Sequence, residues 1–224
     1  MAMDDAAQMA RRPVPARDTG WAHRTAPKLQ RLGLTPNQVS IASVVFAAVA
    51  AACFVASARV ADGPRIVLLL VAAAMMPLRL LCNLFDGMLA VEGGLKSPVG
   101  GIYNELPDRF ADTLFLAGAG YAVADLAWGA QLGWAAATFS IIVAYVRALG
   151  VTLGTPQFYD GPMAKPRRMH ILIAACILSV VEVFAGWPRG SMLAVALVVI
   201  LIGEVLTIGN RVRLIAASLN RTAA

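Results

Sequence analysis

Apolar residues run along this chain in long blocks separated by short polar joints. Six blocks, roughly 38–58, 65–91, 107–128, 131–153, 169–187 and 191–209, each approach the ~20 residues that the hydrocarbon core of a bilayer requires. The second is long, so its last turns should stand out of the hydrocarbon. None reads as a strand, and no internal repeat is evident. The pattern predicts an all-α, integral membrane bundle of six transmembrane helices.

The joints add detail. "TPNQ" opens the first block as a helix start, with Thr35 as N-cap, Pro36 at the first helical position and Gln38 completing a capping box. Before it, "TGWAHRTAPKLQRLGL" predicts an amphipathic helix lying in the membrane interface. Trp21, Leu29, Leu32 and Leu34 would dip among headgroups while Arg24, Lys28 and Arg31 face anionic lipid. The expected division is a cytoplasmic tail and interfacial helix over 1–34, a membrane domain over 35–213 and a cytoplasmic tail over 214–224.

Composition agrees with this picture. The chain of 224 residues is 59% hydrophobic and 14% charged, with mean hydropathy +0.70, whereas soluble domains carry about 25% charged residues. The net charge of +6 does not imply nucleic acid, because the basic residues are dispersed between apolar runs. With the N-terminus in the cytoplasm, six spans place fifteen Lys and Arg there and three outside, with Arg79 inside a span. That satisfies the positive-inside rule and puts both termini in the cytoplasm. The first residues contain no apolar core of a signal peptide. Cys53, Cys82 and Cys176 lie in apolar runs without metal-ligand spacing and read as reduced core residues.

One stretch breaks the apolar pattern. Asn83 to Asp112, "NLFDGMLAVEGGLKSPVGGIYNELPDRFAD", holds five of the thirteen carboxylates and faces the cytoplasm in this topology. Acids near membrane depth are costly and usually functional. On a helix, Asn83 and Asp86 share one face, and Asn104, Asp108 and Asp112, spaced by four, share another. Gly87 removes a side chain beside Asp86, and "EGGLKSPVGG" suits a tight turn between the two helix ends. Oxygen ligands gathered in this way suit Mg²⁺ or Mn²⁺ bound together with substrate phosphates.

The stretch resembles the CDP-alcohol phosphotransferase family, whose pattern is D-x2-D-G-x2-A-R-x8-G-x3-D-x3-D. Laid on this chain without gaps, the pattern reads Asn83, Asp86, Gly87, Ala90, Val91, Gly100, Asn104 and Asp108. The spacing matches throughout. Two aspartates are replaced by Asn83 and Asn104, and the arginine by Val91. Asparagine still offers an oxygen to a metal, but no charge. A second register, with four residues gained in the loop, makes Asp108 and Asp112 the last two aspartates. It would place Pro107 in the first turn of the membrane helix. It is preferred here because it restores charge that Asn104 cannot supply.

The resemblance implies transfer of a phosphatidyl group from a CDP-linked donor, CDP-diacylglycerol foremost, to a small alcohol with release of CMP, assisted by two divalent ions. It implies metal binding by Asp86, Asp108 and Asp112, assisted by Glu105, Asn83 and Asn104. The general base is Asp112 in the shifted register and Asp108 in the ungapped one. Gly87, Ala90 and Gly100 would line the nucleotide pocket, and a homodimer is expected. Arg147, Lys165 and Arg168 read either as topology determinants or as an anion site for a phosphorylated acceptor such as glycerol phosphate. Arg79, two turns before Asp86, reads as a partner for an acid or phosphate or as a buried structural charge. Glu182 and Glu204 are expected to be paired inside the bundle, and His23 and His170 are solitary. Two alternatives stay open: a catalytically weakened relative that binds nucleotide-lipid or metal, and a small transporter.

Overall fold

The computed structural model describes residues 19–95 and 97–222. These residues form seven α-helices and no strand. The helices are α1 (Gly20–Arg31), α2 (Pro36–Ser57), α3 (Asp62–Val91), α4 (Gly100–Tyr121), α5 (Gly129–Thr152), α6 (Lys165–Ala185) and α7 (Ser191–Thr222). Five of them, α2, α3, α5, α6 and α7, are long and apolar enough to cross a membrane. The fold is that of an integral membrane protein. Helix α4 has the length but carries Asn104, Glu105, Asp108, Arg109 and Asp112, which lower its apolarity.

The six long helices close into a ring. α2 packs on α3 and α4, α5 joins α4 to α7, and α6 joins α7 back to α3. Phe54, Leu69, Met76, Phe115, Leu172 and Leu197 meet in the ring's core with almost no exposure. At the α4–α5 seam the backbones nearly touch. A Cβ on Gly133 would lie 2.7 Å from the Gly120 Cα and 2.8 Å from the Leu116 carbonyl oxygen. Small residues allow this approach where neighbouring helices gain little from the hydrophobic effect.

The start of α2 matches its reading. Thr35 Oγ1 accepts from the Gln38 N–H, and the Thr35 N–H donates to Gln38 Oε1, with Pro36 in the first turn. Other boundaries differ. Helix α4 begins at Gly100 rather than near 107, so Pro107 lies inside the helix and not in its first turn. A proline there removes one donor, the one that would serve the Tyr103 carbonyl, and the remaining helix bonds and packing outweigh that loss. Residues 214–222 are helical and continue α7. Helix α1 turns part of its apolar side inward. Ala22 and Ala26 are buried, and Leu29 and Leu34, expected among headgroups, pack on the cluster of Phe85, Met88 and Leu89. Trp21 meets the edge of Phe85 at 5.8 Å and stays half exposed, as does Leu32 to a greater degree. The tail before Thr19 lies outside the described residues.

At the end of the ring away from the acids, Glu182 accepts from the Gly190 and Met192 N–H groups at 2.9 and 2.6 Å. It also faces the buried Arg65 at 3.5 Å. Arg65 itself donates to the Ser57 and Ala122 carbonyls, which ties α2, α3, α4 and α6 together. Glu182 is therefore paired inside the bundle. The three cysteines are free.

Candidate active site

A cavity of about 1020 Å³ opens between the last turns of α3 and α5 and the first turns of α2, α4 and α6. Eleven of the twelve residues singled out in the sequence line it: Asn83, Asp86, Gly87, Ala90, Gly100, Asn104, Glu105, Asp108, Arg147, Lys165 and Arg168. Asp112 is not on the wall. One helical turn deeper than Asp108, it is fully enclosed.

The polar wall is assembled from helices far apart in sequence. Asp86 on α3 is 6% exposed and accepts from Ser40 Oγ of α2 at 2.7 Å. Asn83, one turn earlier, donates its Nδ2 to Asp108 Oδ1 at 2.7 Å. Its side-chain oxygen is therefore turned away from Asp108. Asp108 also accepts from Lys165 Nζ of α6 on Oδ2 and from Arg79 Nη2 on Oδ1 at 3.0 Å. Asn104 and Glu105 are exposed at the mouth.

Behind the wall the charges alternate. Arg79 Nη2, 3.0 Å from Asp108, also lies 2.8 Å from Asp112 Oδ1. Arg168 Nη2 lies 2.7 Å from Asp112 Oδ2, and its Nη1 lies 2.9 Å from Glu204 Oε1 on α7. Lys165, Asp108, Arg79, Asp112, Arg168 and Glu204 thus form one chain of alternating sign across α3, α4, α6 and α7. Enclosed charges of this kind persist only when paired, because removal from water costs several kcal/mol per ion. Glu204 is paired inside the bundle, as expected.

A second cluster guards the mouth. Arg147 on α5 donates to Glu105 Oε1 at 2.6 Å and to Gln157 Oε1 at 3.0 Å. Its guanidinium stands 5.4 Å from the centre of the Tyr159 ring. Each cation proposed for an anionic acceptor therefore already has an acidic partner within the chain: Glu105 for Arg147, Asp108 for Lys165, and Asp112 and Glu204 for Arg168.

Ser40, Arg79, Gln157 and Tyr159 join the site without standing among the candidates from the sequence. Arg79 carried a signal, since an arginine inside an apolar block needs a partner. Ser40 lies two residues after the "TPNQ" helix start, but nothing local points to Asp86, 46 residues away. Gln157 and Tyr159 sit in the α5–α6 connection, where no periodicity reports on neighbours. His170 also lines the cavity, while His23 faces Glu92 at 3.4 Å.

No protein-family model and no curated protein sequence matches the chain. Solved structures do. The crystal structure of Mycobacterium tuberculosis phosphatidylinositol phosphate synthase in complex with manganese and citrate aligns over 87% of this chain and 88% of its own, with TM-score 0.71 and 21% identity. The chain shares its fold. The same enzyme with CDP-DAG bound aligns over 86% of this chain and 92% of its own, with TM-score 0.68 and 21% identity. Its apo form aligns over 85% and 93%, with TM-score 0.66 and the same identity.

Proposed function

We propose that this protein is a membrane transferase of the CDP-alcohol phosphotransferase type. It moves a phosphatidyl group from a CDP-linked lipid, CDP-diacylglycerol in type, to the hydroxyl of a small alcohol and releases CMP. The observation that carries this reading is the composition of the cavity. Asp86 and Asp108 stand on its polar wall, while Pro77, Leu80, Leu81 and Leu84 form an apolar wall beside them. An apolar wall next to anion chemistry suits a lipid donor better than a water-soluble nucleotide alcohol. The fold likeness to a synthase solved with CDP-DAG bound supports the same reading.

The donor's pyrophosphate calls for Mg²⁺ or Mn²⁺, and the residues fit such an ion. Asp86 is a buried carboxylate at the cavity with a hydroxyl partner, Ser40, and Asn83 has its amide oxygen free of Asp108. No group of three or more His, Cys, Asp or Glu side chains among the described residues is arranged to hold a metal. Asp86 and Asn83 would therefore share the ion with phosphate oxygens and water, the usual mode for Mg²⁺. When bound, the ion neutralises the pyrophosphate and the leaving CMP.

The chain's own residues do the rest. Asp108 presents its carboxylate to the cavity and is the group placed to take the acceptor's proton. Asp112 is fully enclosed and is not among the residues that line the cavity, so we assign the base to Asp108 and favour the ungapped register. Asp112 then holds Arg79 and Arg168 in place. Lys165 shares Asp108 with the incoming hydroxyl. Arg147, at the mouth, is the contact for an anionic acceptor, which must displace Glu105. Gly87, Ala90 and Gly100 leave room for the nucleotide.

In this reading α4 is the sixth span, the cavity and both termini face the cytoplasm, and two copies associate. Helix α1 lies at the interface with Trp21 and Leu32 toward lipid. A second reading, a binder of nucleotide-lipid without transfer, is favoured by the ion pairs that already engage Asp108. The test is to incubate purified protein with radiolabelled CDP-diacylglycerol, Mn²⁺ or Mg²⁺ and a panel of alcohols. A lipid product with one alcohol supports transfer, and donor binding without product supports the second reading.

A further inference from the structure

We infer that this chain holds one divalent cation per active site, with Lys165 and Arg79 supplying from the protein the positive charge that a second ion would bring. The inference rests on the transferase reading and deepens it.

Three observations converge. First, the two asparagines remove charge. Four aspartates at the pattern positions would carry four negative charges, whereas Asn83, Asp86, Asn104 and Asp108 carry two. The difference of two equals the charge of one divalent ion. Second, the remaining carboxylates differ in their partners. Asp108 is held by Lys165 on one oxygen and by Arg79 and Asn83 on the other. Asp112 is held by Arg79 and Arg168. Asp86 accepts from a neutral hydroxyl, Ser40, and no Lys, Arg or His nitrogen among the described residues lies within ion-pair distance of it. Third, the cations are built in. Arg79 is fully enclosed, and Lys165 reaches Asp108 with its side chain 13% exposed. A second divalent ion at Asp108 would have to displace an ammonium already in contact there, against repulsion from the buried Arg79 that salt and water do little to screen.

The chemistry separates two roles. The oxygens of Asp86 and Asn83 remain for an ion shared with the donor's phosphates. Lys165 and Arg79 fix the charge beside Asp108, and the ammonium is held there by hydrogen bonds rather than by a metal's coordination geometry. Val91, where the family pattern has arginine, leaves the nucleotide side without that cation, while Arg79 stands on the acid side against Asp108 and Asp112.

The experiment is a count. Purified full-length protein with CDP is titrated with Mn²⁺, and bound ions are counted by electron paramagnetic resonance. One ion per chain, with a spectrum lacking Mn–Mn coupling, is expected. Two ions per chain, or none, overturns the inference. The double variant Asn83→Asp/Lys165→Gln lowers the charge of the wall by two units and should bind a second ion. Retention of the first ion shows that the variant is folded. A folded variant that still binds one shows that these residues do not limit the site, and overturns the assignment. The wild-type count decides alone if the variant does not fold. Failure of the transferase reading registers separately, as absence of product with any alcohol at whatever ion count.

Discussion

Arg79 Nη2 lies 2.8 Å from Asp112 Oδ1, and both side chains are sealed from solvent. This pair binds α3 to α4 behind the cavity and makes Asp112 a member of the scaffold. Asp112→Asn leaves Arg79 and Arg168 facing a neutral amide. Loss of one partner of a buried pair costs about 3–5 kcal/mol. We expect a marked fall in melting temperature in detergent, and a much smaller fall in turnover per folded molecule than for Asp108→Asn. Adding Arg79→Gln to Asp112→Asn should recover part of the lost stability. A fully folded Asp112→Asn with no turnover would return the base to Asp112.

Asp108→Asn is the complementary case. If Asp108 takes the acceptor's proton, turnover falls by roughly 10²–10⁴, the usual worth of general-base catalysis. Donor binding, followed by displacement of a labelled CDP-lipid, should largely persist.

The Gly120–Gly133 contact predicts a purely structural effect. Gly133→Ala places a methyl 2.7 Å from the Gly120 Cα, so α4 and α5 must separate. Overpacking of this kind costs about 1–3 kcal/mol, read as a lower melting temperature. Gly209→Ala is the control, since nothing lies within 4 Å of its added Cβ. It should be neutral or slightly stabilising.

The charge bias predicts a sidedness that labelling can test. In a chain with its native cysteines replaced, an impermeant thiol reagent applied to intact cells should label Ala127→Cys, in the α4–α5 connection, but not Ser97→Cys. Labelling in the opposite sense would show that the cavity faces outward.

Much of this site was legible because its chemistry is local. The Thr35–Gln38 capping box, the Asn83/Asp86 face and the 104–108–112 face need only helical periodicity, and ten of the other eleven candidates gathered with Asp108 at the cavity. What could not be read depends on the ring. Asp112 looked equal to Asp108 by spacing, but one further turn carries it behind the wall, where Arg79 and Arg168 enclose it. The start of α4 differs because Pro107 resembles a helix opening, whereas the turns from Gly100 to Leu106 are already helical and carry Asn104 and Glu105 at the mouth. Ser40 was hidden because its partner lies on another helix. Leu29 and Leu34 looked lipid-facing because amphipathicity marks an apolar side without saying whether lipid or protein covers it.

The central claim is transfer of a phosphatidyl group at Asp86 and Asp108. Its most direct measurement is CMP release from CDP-diacylglycerol by the purified protein, followed with and without an acceptor alcohol, before and after chelation by EDTA. The account predicts CMP and a new phospholipid only when acceptor and Mg²⁺ or Mn²⁺ are both present, loss of both on chelation and restoration by the metal. Asp86→Asn should need far more metal to reach the same rate. Activity that survives complete chelation, or that is equal in Asp86→Asn and the unaltered chain at limiting metal, would contradict it.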